Sequence, residues 1–283
     1  MEYNKTSEEL EKLYSLGIWP EDPYTDVGMQ RFRQALGHMA RLVEHEYVQR
    51  LLQSRKSVRI LDLCAGTGVG GVALAKTLMD QGYSVELHLA DLRKSALETG
   101  KRFSRDILGV EARVHVVDAR EAYRLQGGFD IVLVYGWSAP HFSPWDMARV
   151  LASAAEITSD DGVIALEEID RRLTVFLSKG YRYVLPAAVG EDRVVLDVHA
   201  GYDPATGMIK RVTVDLLSGR SVANGFYYWS IAELATLVWL LFRDVDLLEL
   251  QGLRRVFILG QGPRRALRAQ DLAQPRLLVR RPS

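Results

Sequence analysis

Residues 58–71 read VRILDLCAGTGVGG, and this stretch carries the strongest structural signal in the chain. Its first six residues form a mainly apolar run of strand length, and four glycines fall within the next eight positions. From Val69 a helical pattern continues to Asp80, and Gly82 ends it. The stretch therefore predicts a buried strand, a tight glycine turn and a helix.

The same alternation of strand and helix repeats along the chain as far as Asp170. Strands are predicted at 84–90, 113–117, 129–135 and 163–166, helices at 94–108, near Glu121 and at 144–157, and a turn at Asp160-Asp161-Gly162. Strands that alternate with helices form parallel sheets with helices on both faces. We therefore predict a doubly wound α/β core.

After Asp170 the pattern changes. Residues 181–228 contain alternating segments separated by turn sequences, which predict a small antiparallel insertion after the fifth strand. Ser230 and Glu233 have the spacing of a capping box at the start of an apolar helix that runs to Phe242. Two last strands are predicted at 245–250 and 255–259.

Two helices are predicted before the first strand, at 6–16 and, with an amphipathic pattern, at 25–53. They can close over the carboxyl edge of the sheet, so we expect a lid whose Trp19, Tyr24, Met29 and Phe32 face a ligand. The predicted divisions are an N-terminal helical lid at 1–56, a core at 57–170, the insertion at 171–229, the last helix and strands at 230–263, and a basic tail at 264–283.

The glycine turn at 66–71 satisfies G-x-G-x-x-G, which fits a dinucleotide, a flavin or S-adenosylmethionine (SAM). Asp62 favours SAM, because a carboxylate near the end of the first strand repels a pyrophosphate but suits the ammonium of a methionyl group. Asp91 and Asp118 end the next two strands, where they can accept hydrogen bonds from the ribose hydroxyls and the adenine amine. Alternatively, each acid caps the helix that follows it.

Residues 60–68, with Asp91 and with Asp118-Ala119, resemble the first three motifs of the class I SAM-dependent methyltransferases. The resemblance covers about residues 57–169. It implies a seven-stranded, mostly parallel sheet whose last strand lies antiparallel beside the fifth. Residues 202–207 and 226–234 are loosely similar to the strand insertion of small-molecule members. Residues 135–142 lack the signature of the enzymes that methylate amino groups of DNA and glutamine.

The resemblance and the acids together predict a cofactor site. Its residues are Asp62, Ala65, Gly66, Thr67, Gly68, Asp91, Leu92, Asp118, Ala119, Tyr135 and Gly136, with Arg31 as a partner for the SAM carboxylate. The expected reaction moves the methyl group to an oxygen or nitrogen atom of a small molecule and leaves S-adenosylhomocysteine (SAH).

The acceptor side of the site is expected to contain Trp19, Tyr24, Trp137 and Phe142. His141 follows the fourth strand by six residues and is the best-placed base for a proton that must leave the acceptor. Its alternative role is to line the pocket. The other histidines have no paired acids at ligand spacing, so no metal is expected.

Composition narrows the function classes. The chain has 36 basic and 36 acidic residues, so no net charge attracts a polyanion and nucleic acid is disfavoured. Six arginines gather near the end and are interpreted as a solvated tail; they are Arg264, Arg265, Arg268, Arg276, Arg280 and Arg281.

Cys64 is the single cysteine, so the chain can form no internal disulfide. With no membrane-length apolar run and no signal-like start, we expect a cytoplasmic protein with no membrane partner. The sequence neither indicates nor excludes an oligomer.

Three other functions stay open at this point. An accessory protein that binds SAM without transferring its methyl group would share the cofactor residues. An RNA methyltransferase is supported only by the arginine-rich end. An NAD-linked oxidoreductase would use the same glycine turn and Asp91, but Asp62 argues against it.

Overall fold

A computed structural model describes residues 7–251, 255–272 and 274–279 of the chain. Before the glycine turn it contains helices α1 (Ser7–Tyr14), α2 (Asp26–Glu44) and α3 (Glu46–Gln53), followed by strand β1 (Ser57–Leu63). The alternation continues with α4 (Val69–Asp80), β2 (Ser84–Asp91), α5 (Lys94–Leu108), β3 (Arg113–Val116), β4 (Phe129–Val134), α6 (Pro144–Ile157) and β5 (Thr158–Glu168).

The second part of the chain begins with a short π-helix at Arg172–Ser178. Strands β6 (Val184–Val189), β7 (Val194–Asp203), β8 (Met208–Asp215) and β9 (Ser221–Phe226) follow, and then α7 (Ile231–Leu241), β10 (Phe242–Glu249), β11 (Val256–Pro263) and α8 (Arg276–Val279). Within the described part of the chain, no helix is long and apolar enough to cross a membrane.

The strands form two sheets. The larger has seven strands in the order β10-β11-β5-β4-β1-β2-β3, and β11 pairs antiparallel with β5. The smaller is a four-stranded antiparallel sheet in the order β6-β7-β8-β9. The α/β prediction, the antiparallel seventh strand and the insertion after the fifth strand are all confirmed.

Helices cover both faces of the large sheet. Apolar side chains of α2, α3, α4 and α5 form one core cluster with one face of the sheet, while α6 and α7 form the second cluster with the other. The order of the central strands brings the carboxyl ends of β1, β2 and β4 to one edge, where ligands bind in this class of sheet.

The long helix predicted at 25–53 is two helices. His45 adopts an extended conformation between α2 and α3, and its Nδ1 accepts a hydrogen bond from the Tyr47 amide at 3.3 Å. Its Nε2 lies 3.2 Å from Asp246 of β10. A histidine in the middle of an apolar pattern gives no local signal for this break, because its partner is 201 residues away.

Two other predictions need correction. Residues 160–162 do not form a separate turn, because they lie inside β5, where Asp161 pairs with Arg55 at 2.7 Å. Arg264 and Arg265 are exposed, as the solvated tail predicts, but they are tied to the core, because Arg264 donates to the Phe242 carbonyl at 2.8 Å and Arg265 to the Thr158 carbonyl at 2.7 Å. Arg280 and Arg281 lie outside the described residues.

A substitution at Gly100 of α5 tests how tightly this helix packs against the glycine turn. A Cβ atom at this position would lie 3.1 Å from the backbone of Thr67 and 2.9 Å from Leu89, so we predict that Gly100→Ala lowers the free energy of unfolding. The expected cost of such overpacking is about 1–3 kcal/mol, measured by urea unfolding.

Gly37 of α2 is the matched control, because it is exposed and a Cβ there would meet nothing within 4 Å. Gly37→Ala should raise the free energy of unfolding by about 0.5–1 kcal/mol through helix propensity. Equal effects of the two substitutions would contradict the packing described here.

Candidate active site

Two cavities lie at the carboxyl edge of the large sheet. Cavity A has a volume of about 90 Å³ and lies against the ends of β2 and β3. Cavity B has a volume of about 560 Å³ and extends from the glycine turn to the small sheet. The two cavities share six wall residues, which are Tyr14, Cys64, Gly66, Arg93, Ser138 and His141. The two cavities are therefore adjacent, and these residues mark their junction.

Cavity A contains the predicted adenosine-binding residues. Its walls include Gly66, Asp91, Leu92, Asp118, Ala119 and Phe142. Its volume is below the range of about 300–1,000 Å³ that is usual for small-molecule pockets. Leu10 and Tyr14 of the N-terminal segment, which is the part of the chain before α2, supply part of the wall and narrow the space for a nucleoside.

Asp91 joins the glycine turn to the site. Its Oδ2 accepts a hydrogen bond from the Gly66 amide at 2.8 Å, and its Oδ1 accepts one from the Arg93 amide at 2.9 Å. A carboxylate has about four lone-pair sites, so Asp91 keeps acceptor capacity for the two hydroxyls of a ribose.

Asp118 both caps the next helical turn and lines cavity A. It accepts hydrogen bonds from the Arg120 amide at 2.9 Å and from Arg120 Nε at 3.0 Å. Burial alone would raise its pKa, but the hydrogen bonds and charge of Arg120 hold the pKa of Asp118 below its usual value. Capping and ligand recognition, which the sequence presented as alternatives, are compatible at this residue.

Asp62 lies beneath the glycine turn and lines neither cavity. It is 1% exposed, its Oδ2 accepts a hydrogen bond from the Gly71 amide at 2.7 Å, and its Oδ1 has no hydrogen-bond partner in the structure. Burial raises the pKa of Asp62 to about 7, although the Gly71 amide opposes this shift. Asp62 therefore supports the turn from below, and direct contact with the methionyl ammonium stays a prediction.

Arg93 connects the site to the N-terminal segment. Its guanidinium lies 2.7 Å from Glu21 and 3.7 Å from the centroid of the Tyr14 ring, and its side chain is 3% exposed. The Thr67 hydroxyl donates to the Glu21 carbonyl at 2.6 Å. Arg93 and Thr67 thus hold this segment closed over the turn, and neither contact was foreseen from the sequence.

His141 lies at the junction of the two cavities. Its ring is 6.2 Å from Trp19 of the N-terminal segment and 5.5 Å from Phe226 of the small sheet, measured between centroids. The predicted base therefore borders both cavities.

Trp137 follows β4 in a left-handed backbone conformation, with φ 64°, and is 40% exposed. A bulky residue rarely adopts this conformation, and it persists only where neighbouring groups enforce it. Glu167 accepts a hydrogen bond from the Gly136 amide at 2.9 Å and pairs with Arg255 Nε at 2.6 Å. The Arg255 guanidinium lies 5.2 Å from the Trp137 ring. These contacts hold the loop after β4 against cavity B.

Most of the predicted residues are brought together at this edge. Cavity B is lined by Trp19, Arg31, Ala65, Gly66, Thr67, Tyr135, Gly136 and Trp137. Gly68 lies behind the turn in a left-handed conformation and lines neither cavity.

Three aromatic residues and Met29 do not lie where they were predicted to lie. Tyr24 lies outside both cavities, because its hydroxyl donates to Asp106 at 2.6 Å and its ring packs on Phe103. Phe32 is 5% exposed and belongs to the core instead of facing a ligand, and Met29 packs against the same core. Phe142 lines cavity A, on the adenosine side, and not the acceptor side.

Comparisons with known proteins agree with this geometry. Residues 60–162 match the family model described as a methyltransferase domain. This part of the chain is therefore similar to methyltransferase domains. No curated protein sequence matches the chain.

Solved structures share the fold of this chain. The PH0226 protein from Pyrococcus horikoshii OT3 is 17% identical, with a TM-score of 0.61, and the match covers 89% of this chain and 99% of the other. A SAM-dependent methyltransferase from Clostridium acetobutylicum ATCC 824 is 10% identical, with a TM-score of 0.57 and coverage of 90% and 98%. SAM-bound CalS10, an amino pentose methyltransferase from Micromonospora echinaspora, is 18% identical, with a TM-score of 0.51 and coverage of 84% and 98%.

The residues present fit SAM. Gly66 of the glycine turn lines both cavities, Asp91 faces cavity A, and Arg31 in cavity B lies close to Gly136. Within 7–251, 255–272 and 274–279, no group of three or more His, Cys, Asp or Glu residues could hold a metal ion.

The raised pKa of Asp62 gives a testable pH dependence. The folded protein keeps a proton up to about pH 7 that the unfolded chain loses near pH 4, so the stability linked to this group is lost as the pH rises through this interval. Between pH 5 and 8, the free energy of unfolding should fall by about 1–3 kcal/mol more in the wild type than in Asp62→Asn. Parallel pH profiles in urea unfolding would refute this.

The ion pair between Arg93 and Glu21 is expected to slow the release of SAM. Glu21→Gln removes the charge that holds the segment closed, so SAM should dissociate about 5- to 10-fold faster, as expected for loss of a charge-assisted hydrogen bond. Stopped-flow tryptophan fluorescence measures this rate. Glu8→Gln, an exposed change on α1, is the control. An unchanged rate in Glu21→Gln would show that the pair does not restrain the cofactor.

Proposed function

We propose that this methyltransferase transfers the methyl group of SAM to an oxygen or nitrogen atom of a small molecule bound in cavity B. The observation that carries the proposal is the junction of the two cavities. Acids at the ends of two strands face cavity A, and a second, larger space opens on the other side of the glycine turn. A protein that only stored SAM would not need this second space.

SAM supplies a methyl group already activated by its sulfonium, so the protein's task is to align an acceptor and exclude water. In the proposed arrangement, Asp91 binds the ribose, Arg31 pairs with the SAM carboxylate, and Tyr135 and Gly136 border the methionyl part. Trp19 and Trp137 line the acceptor space. His141 takes the proton from an acceptor hydroxyl or protonated amine.

The proposed division of the chain follows from these contacts. Residues 57–170 and 230–263 form the catalytic core, and residues 171–229 form a cap over cavity B. The lid is limited to the segment before α2 and its first turns, because most of α2 and all of α3 pack in the core. A small-molecule acceptor also agrees with CalS10, which shares the fold.

Cofactor binding is tested by isothermal titration with SAM. Wild type should bind with micromolar affinity, and Asp91→Ala should bind at least about 10-fold more weakly because a charge-assisted contact to the ribose is lost. Asp80→Ala, an exposed change in the last turn of α4, should match wild type. Binding of NADH in place of SAM would overturn the cofactor assignment.

The role of His141 is tested with the first acceptor that yields SAH. His141→Gln should lower kcat by about 100-fold, the size expected for a lost general base, while the SAM affinity stays the same. Steady-state kinetics as a function of pH separates this role from pocket lining. A variant with wild-type kcat but a raised KM for the acceptor would assign His141 to binding alone.

A further inference from the structure

The far end of cavity B is formed by the concave face of the small sheet. Its walls there are Leu185, Ala187, Asp197, Thr213, Phe226 and Tyr228. Leu185, Asp197 and Thr213 lie opposite one another on β6, β7 and β8, so their side chains share one face. One carboxylate thus stands among apolar and aromatic side chains at the end of the acceptor space.

The Asp197 carboxylate is held in place by buried groups. The Thr213 hydroxyl donates to Asp197 Oδ1 at 3.1 Å, and Arg211 Nε lies 2.5 Å from Oδ2. Arg211 also donates to the Asp197 carbonyl at 2.7 Å, and Asn224 donates to the Thr213 hydroxyl at 2.9 Å. Arg211 and Thr213 are each 1% exposed, whereas the Asp197 side chain keeps 18% exposure.

Such a buried network is a poor source of stability, because burying an ion pair costs desolvation that an apolar replacement would avoid. The network instead fixes the position and orientation of the Asp197 carboxylate. The Thr213 hydroxyl uses one of the roughly four acceptor positions of the carboxylate, the Arg211 guanidinium pairs with it by charge, and a carboxylate so held can accept a further hydrogen bond. Asp197 is thus a preorganised hydrogen-bond acceptor on the wall of cavity B.

The charges of the wall limit what it can bind. Asp197 is paired with Arg211, and Glu21, the other carboxylate that lines cavity B, is paired with Arg93. Arg171 and Arg255, which also line the cavity, are paired with Glu168 and Glu167, and the proposed function assigns Arg31 to the SAM carboxylate. A permanently cationic acceptor would find no unpaired counter-charge at either acid. An anionic acceptor would meet the Asp197 carboxylate itself. The site is therefore suited to an uncharged hydrogen-bond donor.

We infer that Asp197, supported by Thr213 and Arg211, binds an uncharged acceptor molecule through a hydroxyl group. The apolar remainder of this molecule packs on Leu185, Phe226 and Tyr228. Asp197 is a binding residue that selects the acceptor, and it removes no proton. The inference rests on the proposed function, since it takes cavity B to be the acceptor space.

The test uses four ring compounds of similar size, added to the protein saturated with SAH. Cyclohexanol is an uncharged donor, cyclohexanone an uncharged molecule without a donor, cyclohexylamine a cation and cyclohexanecarboxylate an anion at pH 7.5. Dissociation constants are measured by ligand-observed NMR. We expect cyclohexanol to bind at least 5-fold more tightly than the other three, because only it pairs with the wall without adding a charge.

Asp197→Asn and Thr213→Val should reduce the preference for cyclohexanol over cyclohexanone to less than 2-fold. Both changes preserve side-chain shape, and circular dichroism checks that the variants fold. Asp192→Asn, an exposed change in the connection between β6 and β7, should keep the wild-type preference. Equal binding of cyclohexanol and cyclohexanone to wild type, no binding of cyclohexanol, or an undiminished preference in both variants would overturn the inference.

A parallel titration with SAH separates this result from the proposed function. Failure of wild type to bind SAH would count against the methyltransferase site, and the ring compounds would then be tested on the ligand-free protein. Normal SAH affinity in Asp197→Asn with loss of the hydroxyl preference would support the inference specifically.

Discussion

The site depends on close packing around the glycine turn, where neighbouring atoms leave no room for a side chain at Gly70. A Cβ atom on Gly70 would lie 2.8 Å from the Tyr135 side chain, and one on Gly100 would lie 3.1 Å from the Thr67 backbone. The turn is thereby packed between the end of β4 and helix α5. This close packing places the Gly66 amide beside Asp91. The two cavities also meet at Gly66, which lines both of them.

Arginines organise the rest of the site. Arg93 joins the N-terminal segment to the end of β2, Arg255 holds the loop that carries Trp137, and Arg211 fixes Asp197 in the small sheet. Each of them is mostly buried and paired with a carboxylate, so the charges within the site are largely compensated. The planar guanidinium suits this task because it can donate several hydrogen bonds while it packs against aromatic rings.

The sequence predicted the parts of the fold that local patterns determine. Helices α4, α5 and α6 have the predicted bounds, because apolar periodicity, the proline at the start of α6 and the glycine after α5 are all local signals. The break at His45 depends on Asp246, and the orientation of Tyr24 depends on Asp106. Contacts of this kind join distant segments, and no short pattern records them.

The candidate site shows the same limit. Asp91, Asp118 and the glycine turn follow predictable strand ends, so they could be assigned from the sequence. Asp197 could not, because its importance arises only when β7 and β8 fold over cavity B and bury its partners. The sequence therefore indicated the residues around cavity A better than those at the small-sheet end of cavity B.

The most direct test of the central claim is a crystal structure of the protein with SAH. We predict the adenine and ribose in cavity A beside Asp118 and Asp91, and the sulfur at the junction near His141, facing the space that ends at Asp197. SAH bound in the reverse direction, or outside these two cavities, would contradict the assignment of cavity B to the methyl acceptor.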